Sequence, residues 1–192
     1  MRLIHLLTRK RRMKQVSFES EKCRFVPFEL TSDFEDFAAW NKRFDCLITD
    51  LLKVNLKTED DYRNHLKMVL TLPNREDWTI YSKENSEKVA FLSLSEWIPE
   101  FTATIHASCP VEMVKEFLSN DFKNTYIYDF LTRFIQYCFE DLKLKRLGVY
   151  IPKSNRLAAD VLNKMGFQEE GYLRVLDMKL FSFIETDYKK GE

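Results

Sequence analysis

One histidine lies in a stretch of sequence whose residue types suit proton transfer. Residues 101–109 alternate polar and apolar side chains with the period of two that is typical of a β-strand. The alternation places the polar residues on one face: Thr102, Thr104, His106 and Ser108. Because an imidazole titrates near neutral pH, His106 on this face is a candidate general base. A hydrogen-bonded structural histidine is the alternative, and the sequence leaves both interpretations open.

The other reactive side chains indicate neither a nucleophilic triad nor a metal site. Ser108 and Cys109 adjoin His106, but no G-x-S-x-G elbow surrounds them, and adjacent strand residues point to opposite faces. The cysteines are widely scattered and form no C-x-x-C pair: Cys23, Cys46, Cys109 and Cys138. We therefore expect reduced thiols in a cytoplasmic protein, with no metal ligands.

A second polar group lies at the start of the most regular helix pattern. Apolar residues recur every three or four positions across residues 126–142, which predicts an amphipathic helix that packs on a sheet. The residues at its beginning are Lys123, Asn124, Thr125 and Tyr126. A helix N-terminus binds anions through its free amide groups. Glycine does not occur before Gly148, however, so this region has no glycine-rich phosphate loop.

The remaining periodic patterns predict the strands and helices that position these groups. Strand patterns occur at residues 23–28, 78–82, 89–97, 101–109, 146–152, 168–176 and 178–186. Helix patterns run from Thr31 to Leu52, from Thr58 to the residues before Pro73, across 126–142, and from the Asn155 cap to Met165. Residues 111–125 form a charged connection with at most a helical turn. The resulting order, β α α β β β α β α β β, predicts one α/β (α+β) domain.

The residues from Arg146 to Arg174 resemble the closing motif of the GNAT superfamily of N-acetyltransferases. In that motif a strand leads to an asparagine, a small residue follows three positions later, Gly-Phe ends the next helix, and E-G-x-x-R follows. The matching residues are Asn155, Ala158, Gly166, Phe167, Glu170, Gly171 and Arg174. The segment is most similar to the branch that acetylates protein N-termini, whose cofactor helix aligns with residues 122–142. It is also similar to GNAT-like proteins of tailed phages.

The resemblance implies a single GNAT-like domain over residues 15–192, preceded by a basic arm at 1–14. Its mixed central sheet would have about seven strands flanked by about four helices, in keeping with the strand and helix patterns. In this fold the strands at 101–109 and 146–152 splay apart, and the wedge between them admits the pantetheine arm of acetyl-CoA. The implied cofactor contacts in the wedge are Ala107, Ser108 and Asn155. The implied catalytic residues are His106, Asn155 and Tyr172.

The chain departs from the family pattern in two places. Relatives carry R/Q-x-x-G-x-G/A before the cofactor helix, whereas Lys123 and Thr125 occupy the glycine positions here. A Cβ at those positions crowds a phosphate and restricts positive φ, so the loop is either differently shaped or has lost CoA binding. A differently shaped loop would bind through Lys123, Asn124, Thr125 and Tyr126. Many relatives use a tyrosine acid where this chain has Leu162, and Tyr150 and Tyr172 are the nearby substitutes.

Charge and hydropathy limit the partners. The 30 basic and 30 acidic side chains cancel, so no global field attracts nucleic acid or an anionic membrane. The apolar runs are too short to span a bilayer. Residues 1–14 are basic without an acidic residue, which suits a nucleic-acid or partner-binding arm or a solvated leader upstream of a start at Met13.

Two functions remain open on the sequence. The first is an N-acetyltransferase that moves an acetyl or related acyl group from the corresponding acyl-CoA to an amine of a protein N-terminus, a lysine or a small molecule. The second is a non-catalytic GNAT-like scaffold, associated with a virion or another assembly, that has lost CoA binding and contacts a protein partner.

Overall fold

One mixed sheet carries helices on both of its faces. The computed structural model describes residues 16–41, 58–119 and 121–189. The strands are β1 (Phe18–Glu19), β2 (Cys23–Pro27), β3 (Glu76–Ser82), β4 (Lys88–Ile98), β5 (Thr102–Ser108), β6 (Arg146–Pro152), β7 (Gln168–Leu173) and β8 (Met178–Ile184). The helices of the described ranges are α1 (Leu30–Asn41), α2 (Glu59–Val69), α3 (Val111–Leu118), α4 (Tyr126–Gln136), α5 (Arg156–Lys164) and α6 (Glu185–Tyr188).

The strand order is β1-β2-β3-β4-β5-β6-β8-β7. Every neighbouring pair is antiparallel except β5 and β6, which run parallel and are joined through α3 and α4. This single mixed sheet with flanking helices confirms the predicted α/β (α+β) class. The described part of the chain has one strand and two helices more than the sequence patterns indicated.

The additional elements are β1, α3 and α6. β1 has 2 residues and α6 has 4, so neither is long enough to show a periodicity. α3 is a helix of 8 residues where only a turn was expected, and its C-terminal carbonyls are capped from a distance in sequence. Lys164 Nζ donates to the Leu118 and Ser119 carbonyls at 3.1 Å each. This tertiary contact satisfies carbonyls that the local sequence leaves open.

Several predicted boundaries also shift. α1 begins at Leu30, and the rest of the helix predicted to Leu52 lies outside the described residues. The strand predicted at 168–176 ends at Leu173, where the turn into β8 begins. The predicted cap of α2 is confirmed, because Thr58 and Asp61 form a reciprocal capping box. The arm at 1–14 and the question of a start at Met13 also lie outside the described ranges.

One face of the sheet, called here the core face, packs against α3, α4 and α5. Its strands contribute large side chains that are completely or almost completely buried, such as Trp78, Leu92 and Ile105. α4 contributes Phe130 and Phe134 to the same cluster. The three- and four-residue spacing that predicted the α4 helix therefore corresponds to its buried stripe.

The opposite face, called here the His106 face, packs against α1 and α2. Asp33 of α1 is buried and accepts a hydrogen bond from Thr79 Oγ1 of β3 at 2.6 Å. Lys88 of β4 forms an ion pair with the same carboxylate at 3.0 Å. Phe37 of α1 lies against Phe91 of β4 with ring centroids 5.4 Å apart. These contacts fix α1 on the face that carries His106.

β5 and β6 pair over only part of their length. The pairs are Thr102 with Arg146, Ala103 with Leu147 and Thr104 with Gly148. Beyond Thr104, β5 continues beside β4, whereas β6 continues beside β8. The sheet therefore opens into a wedge between residues 105–108 and 149–152. No helix of the described ranges is sufficiently long and apolar to cross a membrane.

Candidate active site

His106 lies on β5, where the strand borders the wedge. Its cross-strand partner is Ser93 of β4, and its Nε2 lies 2.9 Å from Ser95 Oγ. The side chain is open to solvent. Desolvation by the surrounding protein, followed by the charge of the Arg75 cation, lowers the pKa of His106 to about 4, against the opposing charges of Glu96 and Asp77.

The hydrogen bonds of β5 confirm its predicted polar face. Thr104 Oγ1 donates to Glu96 Oε2 at 2.8 Å, and His106 pairs with Ser95 on the same face. Side chains two residues apart on a strand share a face, so Thr104 and His106 lie side by side. The low pKa keeps the imidazole neutral throughout the physiological range, so that one ring nitrogen carries a free lone pair.

A buried ion pair lies next to this group. Arg75 donates to both carboxylate oxygens of Asp77, with Nε at 2.9 and 2.8 Å from them. Ser93 joins the pair, because it accepts from Arg75 Nη2 at 3.0 Å and donates to Asp77 Oδ1 at 2.5 Å. Both charged side chains are nearly buried, with 11% and 10% exposed. The arrangement holds a fixed cation near His106, which opposes protonation of the imidazole.

The wedge offers polar groups that fit the amides of a pantetheine arm. Beyond Thr104 the backbone of β5 has no β6 partner. Ser108 Oγ is buried and has no hydrogen-bond partner among the described residues. Ala107 is exposed. A buried polar group without a partner carries a free-energy cost that a ligand can remove. Ala107 and Ser108 are therefore brought to the place where the resemblance expects acetyl-CoA.

The residues before α4 form a different structure from a glycine-rich nest. Lys123 and Asn124 lie in a 3₁₀ turn, and both are exposed. The Asn124 carbonyl accepts a hydrogen bond from Lys22 Nζ. Thr125 caps α4 by accepting from the Tyr128 amide at 3.3 Å.

Tyr126 lies at the first position of α4 and points toward the turn between β3 and β4. Its hydroxyl is 3.1 Å from Ser82 Oγ and 3.1 Å from Glu84 Oε2. Among the four residues expected to contact a phosphate, Lys123 therefore presents an exposed cation, whereas Thr125 and Tyr126 use their side chains within the protein.

Asn155 and Tyr172 have different surroundings from His106. Asn155 Oδ1 caps α5 by accepting from the Ala158 amide at 3.1 Å. Tyr172 pairs with Lys179, which also pairs with Ile151 of the core face, so Tyr172 lies on the face opposite His106. Its hydroxyl donates to Asp177. The structure therefore does not bring Tyr172 into the His106 group.

Unlike Tyr172, Tyr150 lies on the His106 face, as the pairing of β5 with β6 shows. It follows Gly148 by two residues on β6, and Gly148 pairs with Thr104 of the His106 face. Tyr150 therefore shares a face with His106 and borders the wedge from the opposite strand. Leu162 is buried, in keeping with its apolar side chain at a position where many relatives have a tyrosine.

Sequence reasoning missed the residues that surround His106 on the neighbouring strands. These residues are Arg75, Asp77, Ser93, Ser95 and Glu96. One signal was available, because the alternation of serine and leucine across residues 92–95 predicts a polar face on β4 as well. Which residues of β4 lie opposite His106 depends on the register, which the sequence does not encode locally.

Comparison with known proteins supports the fold and the family. No curated protein sequence matches the chain. A GNAT family acetyltransferase from Bacillus anthracis has a similar structure, with 16% sequence identity, a TM-score of 0.62, and coverage of 89% of this chain and 99% of that one. The dodecameric spermidine N-acetyltransferase from Vibrio cholerae is also similar, with 15% identity, a TM-score of 0.63 and coverage of 89% and 99%.

At this level of identity the structural likeness shows the fold alone. The family model described as the acetyltransferase (GNAT) domain matches residues 23–168, which include α1, the wedge strands and α5. The match covers most of the chain and extends well upstream of the motif at Arg146. The chain therefore belongs to the GNAT family of acetyltransferases.

Proposed function

We propose that the protein transfers an acetyl group from acetyl-CoA to a cationic amine, with His106 as the general base. The observation that carries this proposal is the divergence of β5 from β6 beside an accessible, neutral histidine. A wedge of this kind holds an extended ligand by its amides, and the adjacent His106 face provides the proton acceptor. Acyl transfer to an amine is the reaction that combines these two features.

The residues of the wedge have separate roles in the proposed reaction. Acetyl-CoA supplies a thioester carbonyl, which the amine nitrogen attacks with loss of the carbon–sulfur bond. The backbone amides of β5 beyond Thr104 have no β6 partner and can donate to the oxygen that gains negative charge. His106 accepts the proton that the amine releases. We propose that Tyr150, on the same face of β6, protonates the departing thiolate.

The proposed acceptor class rests on the comparisons and on the sequence resemblance. The structural neighbours include a spermidine N-acetyltransferase, whose name indicates a small polyamine acceptor. The resemblance to the N-terminal acetyltransferase branch favours a protein amine. Both are primary amines that carry a proton at neutral pH. We therefore propose polyamines and peptide N-termini as the first acceptors to assay.

The replacement of His106 by glutamine tests the assignment of the base. We expect kcat to fall by about 10²- to 10⁴-fold, because a glutamine amide cannot take up the proton. Thiol release from acetyl-CoA with spermidine or a short peptide measures this loss. Saturating acetyl-CoA should still raise the melting temperature of the variant by about 5 to 10 °C, as in the wild type. Unchanged turnover in His106→Gln would contradict the proposed role.

The residues before α4, where relatives bind the cofactor phosphates, support a second candidate function. This candidate is a non-catalytic GNAT scaffold in a virion or another assembly. The Asn124 side-chain amide donates to Asp121 and the Thr125 hydroxyl donates to the Phe122 carbonyl, so both donors are used within the protein, and the family glycines are absent. This candidate predicts no change in melting temperature at millimolar acetyl-CoA and no turnover. Bound CoA in native mass spectrometry of the purified protein would exclude it.

A further inference from the structure

The backbone of β4 adopts an unusual conformation at Glu96. Its φ is 51°, which lies in the left-handed region that side chains other than glycine rarely occupy. Four other described non-glycine residues have a positive φ, and all lie in connections between elements: Ser86, Glu100, Lys143 and Asp177. Glu96 alone among the described residues adopts it inside a strand.

The conformation coincides with an irregularity in strand pairing. Ser95 pairs with Thr104, but the next recorded pair is Ile98 with Thr102, so β4 carries an extra residue between the pairs. Such a bulge redirects the side chains of the bulged strand. In a regular strand, Glu96 would point to the core face, because it follows Ser95 of the His106 face.

The bulge instead brings the carboxylate of Glu96 to the His106 face. Its Oε2 accepts a hydrogen bond from Thr104 Oγ1 at 2.8 Å, and Thr104 is buried. Thr104 lies next to His106 on β5, and the negative charge of Glu96 acts on the imidazole. Ser95, the residue before Glu96, contacts His106 Nε2. Ser95 and Glu96, which are consecutive on β4, therefore both lie beside His106.

Glu96 differs in charge balance from the other carboxylates of this region. Asp77 is neutralised by Arg75 at 2.6 Å, and Glu170 by Arg146 at 2.6 Å. Within the described ranges, Glu96 has no ion-pair partner, and its side chain is exposed. A carboxylate anchored on one side by a neutral hydroxyl and open on the other leaves an uncompensated negative charge beside His106.

We propose that Glu96 binds the ammonium group of the acceptor and selects cationic amines for the reaction. This role rests on the proposed acetyl transfer. The ammonium group would be held beside His106, to which it then passes a proton before the neutral nitrogen attacks the thioester. Acetylation converts the cationic amine into a neutral amide. Glu96 therefore attracts the substrate and not the product, which favours exchange of one for the other.

The replacement Glu96→Gln tests this role, because it removes the charge and keeps the size and hydrogen-bonding capacity of the side chain. We expect the KM for spermidine to rise about tenfold, with kcat changed less than threefold, because a charge-assisted contact to the ammonium is lost. The KM for acetyl-CoA should not change. In the wild type the KM for spermidine should rise with salt concentration, and this dependence should weaken in the variant.

Glu100→Gln is the matched control. Glu100 is also exposed and also has a positive φ of 59°, but it lies in the turn between β4 and β5. The control should keep the wild-type KM for spermidine. If Glu96→Gln and Glu100→Gln have the same KM as the wild type, the role of Glu96 is overturned while acetyl transfer stands. If the wild type acetylates no amine, the proposed function fails and this role fails with it.

A second variant separates binding from structure. Glycine adopts a positive φ without strain, and this relief opposes the loss of the hydrogen bond from Thr104, so Glu96→Gly should fold with a melting temperature close to that of the wild type. Its KM for spermidine should rise as much as in Glu96→Gln. A variant that loses thermal stability but keeps the wild-type KM would show that Glu96 has a structural role only.

Discussion

The contact between Ser95 and His106 decides which nitrogen of the imidazole is available for proton transfer. Nε2 is 2.9 Å from Ser95 Oγ, and Nδ1 has no hydrogen-bond partner among the described residues. A neutral imidazole carries one proton. For Nδ1 to accept the proton of the amine, Nε2–H must donate to Ser95 Oγ, which leaves the lone pair of Nδ1 free. Ser95 is therefore a positioning residue for the proposed reaction.

Ser95→Ala should lower kcat about five- to tenfold, because the imidazole loses the hydrogen bond that fixes its tautomer and its orientation. The KM for acetyl-CoA should remain at the wild-type value. Ser95→Thr keeps the hydroxyl and should restore most of the rate. Steady-state thiol release measures both variants. Equal rates in the alanine and threonine variants would show that the hydroxyl has no such role.

The low pKa of His106 predicts the pH dependence of the reaction. Since the pKa of this group is lowered to about 4, the imidazole is neutral over the whole range in which a free histidine titrates, near 6.5. The kcat profile should therefore show no inflection near pH 6.5 and should fall only as the pH approaches 4. Arg75→Met removes the nearby cation and should move the acid limb of the profile to higher pH. An inflection near 6.5 in the wild type would contradict this account.

At the scale of the elements, β3 carries two consecutive carboxylates to opposite faces of the sheet. Asp77 faces His106 in its ion pair with Arg75, whereas Glu76 is buried on the core face, where neither carboxylate oxygen has a hydrogen-bond partner among the described residues. Burial, followed by the charge of Asp77, raises the pKa of Glu76 to about 7. The charge of Glu76 also contributes, after burial, to the raised pKa of Tyr137 in the π-helical segment that follows α4.

Glu76→Gln should remove a pH dependence of stability. Between the ordinary pKa of 4.5 and the folded pKa of about 7, the folded protein binds the proton more tightly than the unfolded chain. Stability from this group is therefore present below pH 4.5 and lost as the pH rises to 7, by about 3 kcal/mol. Chemical unfolding at pH 5 and pH 8 measures the difference. Glu116→Gln, which changes an exposed carboxylate of α3, should keep the wild-type dependence.

In the molecule as a whole, the first described residues pack against the hydrophobic core. Trp78 Nε1 donates to the Val16 carbonyl at 3.1 Å. The Phe18 ring stacks between Phe25 and Tyr137, with centroid distances of 4.1 and 4.6 Å. β1 is thus part of the fold despite its 2 residues.

Phe18→Ala should destabilise the protein by about 3 kcal/mol, since it removes an aromatic ring packed between two others. This loss corresponds to a melting temperature about 6 to 12 °C lower. Deletion of residues 1–14 should leave the melting temperature unchanged, because it removes none of these contacts. Differential scanning calorimetry compares the two. A large loss of stability on deletion would show that the basic arm belongs to the folded domain.

The sequence by itself determined the features that depend on short-range periodicity. The alternation in β5 placed His106 on a polar face, the spacing in α4 identified its buried stripe, and the Thr58 and Asn155 caps were apparent from residue type. Each of these depends on neighbours within four residues, so the chain encodes it locally. The order of strands and helices followed from the same signals and indicated an α/β (α+β) domain, and the resemblance of residues 146–174 to the closing motif indicated the GNAT fold.

The tertiary structure decided which residues of other strands surround His106. Ser95 and Glu96 reach it through the pairing and the bulge of β4, and the register of β7 with β8 places Tyr172 on the opposite face. A shift of one residue in a strand moves its side chains to the other face. Such shifts are set by hydrogen bonding between strands that are distant in sequence. For that reason the sequence indicated His106 as the candidate base, whereas only the fold identified the carboxylate and the hydroxyl that lie beside it.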